Sequence, residues 1–159
     1  MTSPVITRFV RACPQIPGAP ESGRILGDMN LGSIDHVAVS VKSLEDSFKW
    51  YSQVLGFQLF HKFSRTWMVE RDGMKLGLMR RPDAQPVEDL DNKIAIQHFA
   101  FGVTEEDFQL AMDTLQAMGV PFDGPEDTGI AFSIFLSDPD GHTVEITAYH
   151  APIPPPDDV

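Results

Sequence analysis

From Ile34 to Val41 apolar and polar positions alternate, with Val37, Val39 and Val41 on one side, which predicts a half-buried strand. Ser43 then reads as a helix cap with Asp46 at the third helical position. Leu44, Phe48, Tyr51 and Leu55 recur at helical spacing, and Gly56 supplies a stop. Strands are expected near 57–63, 66–71 and 74–80, with Asp72-Gly73 as a hairpin turn. A polar stretch over 81–93, carrying Pro82 and Pro86, reads as a linker.

The same order then returns. Residues 94–103 alternate with Phe99, Phe101 and Val103 on one face, which predicts a strand. Thr104 caps a helix whose expected buried side is Phe108, Leu110, Ala111, Leu115 and Met118, and Gly119 ends it. Further strands are expected near 121–123, 131–136 and 142–149, the last two joined by Asp138-Pro139-Asp140-Gly141. The fold class that follows is α+β: two βαβββ units, 31–80 and 94–150, in one domain spanning 31–150. Residues 1–30, rich in Pro and Gly, read as an irregular leader, and 151–159 as a proline-rich acidic tail.

Laying one unit on the other sets Asp35-His36-Val37 against Gln97-His98-Phe99. Matching Asp72-Gly73 with Asp140-Gly141 sets Gly77 against Glu145. Four positions become equivalent, and three of them carry potential metal ligands. Side chains alternate along a strand, so His36, His98 and Glu145 each point away from the apolar positions that pack under the helices. Two imidazoles and a carboxylate on the uncovered side suit a site for one divalent cation with open coordination positions. Mixed nitrogen and oxygen donors without thiolate fit Fe, Mn, Ni, Co or Zn. Tyr149 shares the Glu145 face and is a candidate hydrogen-bond donor to a bound oxygen. Phe60, Trp67 and Met79 are candidates for an apolar substrate wall.

The net charge of −11 argues against nucleic acid, whose binders need basic surface, and against anionic membranes. Cys13 is the single cysteine, which rules out an intrachain disulfide and suits a reducing, cytoplasmic setting. Arg8 and Arg11 interrupt the apolar residues near the N-terminus, so no signal peptide is expected there. No Lys or Arg follows Lys93.

The frame Ile34-Asp35-His36-Val37-Ala38-Val39, then Trp50-Tyr51-Ser52-Gln53-Val54-Leu55-Gly56-Phe57, then Asp138-Pro139-Asp140-Gly141-His142 leading to Glu145, resembles the vicinal-oxygen-chelate superfamily. That group includes glyoxalase I, methylmalonyl-CoA epimerase, fosfomycin-resistance enzymes, extradiol dioxygenases and metal-free bleomycin-binding proteins. The resemblance implies paired βαβββ units, ligands at His36, His98 and Glu145, a small oxygenated substrate chelated by the metal, and a homodimer. A glyoxalase-like lyase, isomerase or transferase is the activity it implies. An extradiol-type dioxygenase or a metal-free binding or resistance protein is the alternative. The chain also departs from individual members. Gly77 stands where glyoxalase I-like enzymes place a fourth ligand, Phe135 where extradiol dioxygenases carry a tyrosine, and Ala38 where fosfomycin thiol transferases carry a threonine.

Overall fold

The computed structural model describes residues 33–152, and the compact unit holding the fold begins at Ile34. The leader read over 1–30 and the tail beyond Pro152 lie outside the described residues. The elements run β1 (His36–Val41), α1 (Leu44–Leu55), β2 (Gln58–Lys62), β3 (Thr66–Arg71), β4 (Met74–Arg80), a 3-10 turn at Leu90–Asn92, β5 (Phe99–Gly102), α2 (Glu105–Met118), β6 (Asp123–Asp127), β7 (Ala131–Ser137) and β8 (Thr143–Tyr149). They form two four-stranded sheets, ordered β1-β4-β3-β2 and β5-β8-β7-β6. Two βαβββ units are therefore present, as the repeat predicts.

Each helix starts and stops for local reasons. The Ser43 hydroxyl accepts the Asp46 N–H and the Thr104 hydroxyl accepts the Asp107 N–H, satisfying an amide that the first turn leaves free. Gly56 and Gly119 end the helices in the left-handed conformation at φ 71° and 69°. Leu44, Tyr51 and Leu55 bury one face of α1 against the sheet. In α2 the buried positions are Phe108 and Leu115, with Ala111 and Met112 partly covered. Leu110 and Met118, expected on that side, are exposed. At 100° per residue Leu110 sits about 160° from Phe108, off the stripe that Phe108, Ala111, Met112 and Leu115 define.

Two strands differ from expectation. β5 begins at Phe99, and Ile94 and Ile96 project into solvent ahead of it. Their alternation continues a pattern for which the sheet supplies no partner. β6 runs over Asp123–Asp127 rather than 121–123, every residue of it exposed. Its sequence, Asp-Gly-Pro-Glu-Asp, carries no strand signal, and a register shift lies between Asp123 and Glu126.

What fixes the site is the parallel pairing of each unit's first and last strands. β1 lies on β4 with Ala38 opposite Gly77, and β5 lies on β8 with Ala100 opposite Glu145. The two pairings are in the same register, so the equivalences read from the repeat hold in space. One core joins the units. Tyr51 and Phe57 meet edge-on at 6.0 Å, and Phe57 meets Phe101 at 6.0 Å. The buried Tyr51 hydroxyl donates to Asp138 Oδ2 at 2.9 Å, tying α1 to the turn before β8. Asp138 Oδ1 accepts the backbone N–H groups of Asp140 and His142. Asp140 in turn accepts the Lys42 N–H and the Ser47 hydroxyl.

Candidate metal centre

Along β8 burial alternates: Val144, Ile146 and Ala148 are buried, while Glu145, Thr147 and Tyr149 lie on the other face. Glu145 is there for a backbone reason, since strand parity leaves it no other side. His98 immediately precedes β5, and its Nε2 lies 2.9 Å from Glu145 Oε2. The Glu145 side chain is 14% exposed and that of His98 45%. Phe135, opposite Glu145 on β7, stands edge-on to the His98 ring at 6.2 Å between centroids. Beneath them the buried Ser133 hydroxyl reaches Glu145 Oε1 at 2.6 Å and the Thr147 hydroxyl at 3.0 Å.

The third candidate ligand stands on the other sheet. His36 opens β1, exposed, with Nδ1 2.9 Å from Asp35 Oδ1, and Asp35 Oδ2 is 2.9 Å from Lys75 Nζ. The hydrogen bonds from His36 and then from Lys75 hold the Asp35 carboxyl below its usual range. Among the described residues, no three His, Cys, Asp or Glu side chains come together as a cation site. A single chain thus brings together two of the three expected ligands, His98 and Glu145, and leaves His36 apart. Chemically the pair suits a divalent ion: an imidazole nitrogen and a largely covered carboxylate oxygen face one another, and no Lys or Arg follows Lys93 to compete for that carboxylate.

The remaining candidates divide by strand parity. Tyr149 is on the Glu145 face, exposed at the end of β8. Met79 pairs with Ser40 and Thr66 on the His36 face of the first sheet. Phe60 is the extra residue of a bulge in β2, exposed, with Lys75 Nζ 5.6 Å from its ring centre. Trp67 is on the opposite face. It packs edge-on against Phe48 of α1 at 5.9 Å, with Lys62 Nζ 3.9 Å over its ring. Its partner across the ladder is the buried Leu78, so parity turns it to the core and away from the open face. Gly77 has no side chain to offer, and a Cβ there would come within 3.3 Å of Met68 Sδ. A cavity of about 380 Å³ touches His98, Ser40, Leu90 and His142, but not Glu145.

Ser133 escaped sequence reasoning. The available signal was parity: β7 is antiparallel to β8, so the residue opposite Thr147 shares the Glu145 face.

The sequence pattern that defines the Glyoxalase/Bleomycin resistance protein/Dioxygenase superfamily matches residues 33–146. The chain belongs to that superfamily. Among its relatives in the superfamily, the metallothiol transferase FosB of Lysinibacillus sphaericus is 34% identical over 119 residues, covering 74% of this chain and 82% of that protein. The catechol-2,3-dioxygenase of Bacillus subtilis is 27% identical over 117 residues, covering 72% of this chain and 41% of that protein. An integron cassette protein from the mobile metagenome of a Halifax Harbour sewage outfall superposes with a TM-score of 0.62 at 27% identity, over 74% of this chain and 99% of that one. Superfamily relatives that catalyse different reactions support an enzyme in general terms and fix no reaction. No helix among the described residues is long and apolar enough to cross a membrane.

Proposed function

We propose that this chain is a divalent-metal-dependent superfamily enzyme, a glyoxalase-like lyase, isomerase or transferase, acting on a small substrate that presents neighbouring oxygens. The observation that carries the reading is the facing pair of His98 Nε2 and Glu145 Oε2 at 2.9 Å on the open side of the second sheet. His98 and Glu145 would hold the ion, and His36 of a second copy would complete the ligand set in a homodimer. Support for that last step is the common register of the two units, which puts His36 and His98 at matching places. An ion held there would act as a Lewis acid on the bound oxygens.

The chain's own residues do the rest. Glu145 presents its donor from within the β8 ladder, and His98 from the residue that leads directly into β5. Phe135 limits water on one side of His98. Tyr149, on the Glu145 face, can donate to a substrate oxygen, and Phe60 and Met79 offer apolar surface on the first sheet. Trp67 has no place in that wall. A dioxygenase is the second reading, favoured by the Bacillus subtilis relative. The residue opposite Glu145 is Phe135, without a hydroxyl, which counts against it.

The test is complementation. Chains carrying His36→Ala and chains carrying His98→Ala are each expected to bind little Ni(II) or Mn(II) by calorimetry. Mixed and refolded together, they should regain up to one site per dimer, because a mixed pair assembles one intact ligand set. A chain that elutes as a monomer, or a mixture that regains nothing although each variant folds, overturns the shared site. Wild-type protein that takes up no divalent metal overturns the enzyme reading itself.

A further inference from the structure

We infer that Ser133 and Thr147 are positioning residues that hold Glu145 so that it offers a single oxygen to a cation; this rests on the reading of Glu145 as a ligand. Ser133 is 1% exposed, so water does not serve its hydroxyl. It has two neighbours, Glu145 Oε1 at 2.6 Å and Thr147 Oγ1 at 3.0 Å. A serine hydroxyl carries one proton, and a carboxylate can only accept. The Ser133 proton therefore goes to Glu145, and the short distance is that of a charge-assisted bond. Thr147, which has its own proton, then donates to Ser133 Oγ. The chain of donation runs Thr147 to Ser133 to Glu145 Oε1, in one direction only.

Two consequences follow for the carboxylate. Oε1 is engaged from beneath, while Oε2 is left facing His98. Rotation of the carboxylate that would bring both oxygens to a cation gives up the short charge-assisted Ser133 bond and leaves the buried hydroxyl only the longer contact to Thr147, which is costly. The backbone under Ser133 is also braced. Gly124 in the β6 bulge, at φ +104°, approaches so closely that a Cβ there would lie 2.7 Å from the Ser133 carbonyl oxygen. Ser133 is thus held by β8 on one side and β6 on the other.

The experiment titrates wild-type, Ser133→Ala, Thr147→Val and Thr147→Ser proteins with Co(II) alone, reading calorimetry and the visible absorption band. Ser133→Ala is expected to weaken binding about 10-fold or more, the usual effect of losing a partner of a metal ligand. Its band intensity should also change as the freed carboxylate offers both oxygens. Thr147→Val should shift both readouts the same way by less, and Thr147→Ser, which keeps the donor, should match wild type. A role in packing alone would lower the melting temperature without moving the band. If wild type binds Co(II) and the variants bind it within about twofold with unchanged spectra, the inference is overturned while the metal reading stands. Should Ser133→Ala fail to fold, the Thr147 pair decides by the same criterion. Wild type that binds no Co(II) overturns both.

Discussion

The two units share a backbone plan down to the register of their first and last strands, yet only the second holds chemistry at the shared position. In the first, Ala38 faces Gly77, and Met68 Sδ crowds the place a side chain would take. In the second, Ala100 faces Glu145, with Ser133 and Thr147 beneath it. The positions matching Ser133 and Thr147 are Thr66 and Met79, which cannot form that pair of hydroxyl bonds. Charge divides the same way. Every Lys and Arg of the two units lies in the first, from Lys42 to Arg80. The units have the ladder in common and differ on the open face, where one presents a carboxylate and the other a thioether and cations.

The sharpest test of that asymmetry lies in the turns. Asp138 is buried, accepts two backbone N–H groups and holds the Tyr51 hydroxyl, whereas Glu70, its counterpart, accepts only the Gly73 N–H at an exposed turn. Asp138→Ala should lower unfolding stability by about 2–4 kcal/mol because it strands a buried hydroxyl, and Glu70→Ala by under about 0.5. Urea denaturation of both variants reads the difference, and equal losses would break the comparison.

Glycines give the next largest contrast. Gly124→Ala sets a Cβ against the Ser133 carbonyl at a positive φ and should cost about 2 kcal/mol or more. Gly77→Ala meets the flexible end of Met68 at 3.3 Å and should cost under about 1 kcal/mol. Melting curves of the pair are sufficient, and the reverse ranking would refute the account of the β6 bulge.

The smallest effect is on pH dependence. Burial first, and then Asp138, push the Tyr51 hydroxyl far above its usual value, so only the unfolded chain can release that proton. The stability it contributes is whole below about pH 10 and is lost progressively as the pH climbs beyond. Urea midpoints at about pH 9 and about pH 11 should fall more steeply for wild type than for Tyr51→Phe. Parallel falls would show that Tyr51 titrates freely.

Most of the frame was legible because alternation and capping are local. β3 and β4 match their expected bounds, α1 starts as its cap indicates, and β1 ends at Val41 as expected but begins at His36 rather than Ile34. β5 was overextended because the apolar parity of Ile94 and Ile96 carries no information about whether a neighbouring strand exists. β6 was displaced because an edge strand of polar residues has no hydrophobic signature. At the site, Glu145 was readable as a candidate from the parity of its strand, and His98 from standing where His36 stands in the other unit, one residue ahead of β5. Trp67, a candidate for the apolar wall, lies on the core face; an aromatic residue in a strand declares its size but not its side, and the parity of Val69 settles that. Ser133 was invisible as a lone hydroxyl in an apolar run, meaningful only once its cross-strand partner is known.

The Tyr51–Asp138 bond joins residues 87 apart in the chain, and this bears on biosynthesis. As the polypeptide leaves the ribosome, α1 emerges long before the turn that will accept its phenol, so the first half must wait with a polar group in its apolar face. Splitting the gene between the units should therefore yield two fragments that persist poorly alone and rescue each other when co-expressed.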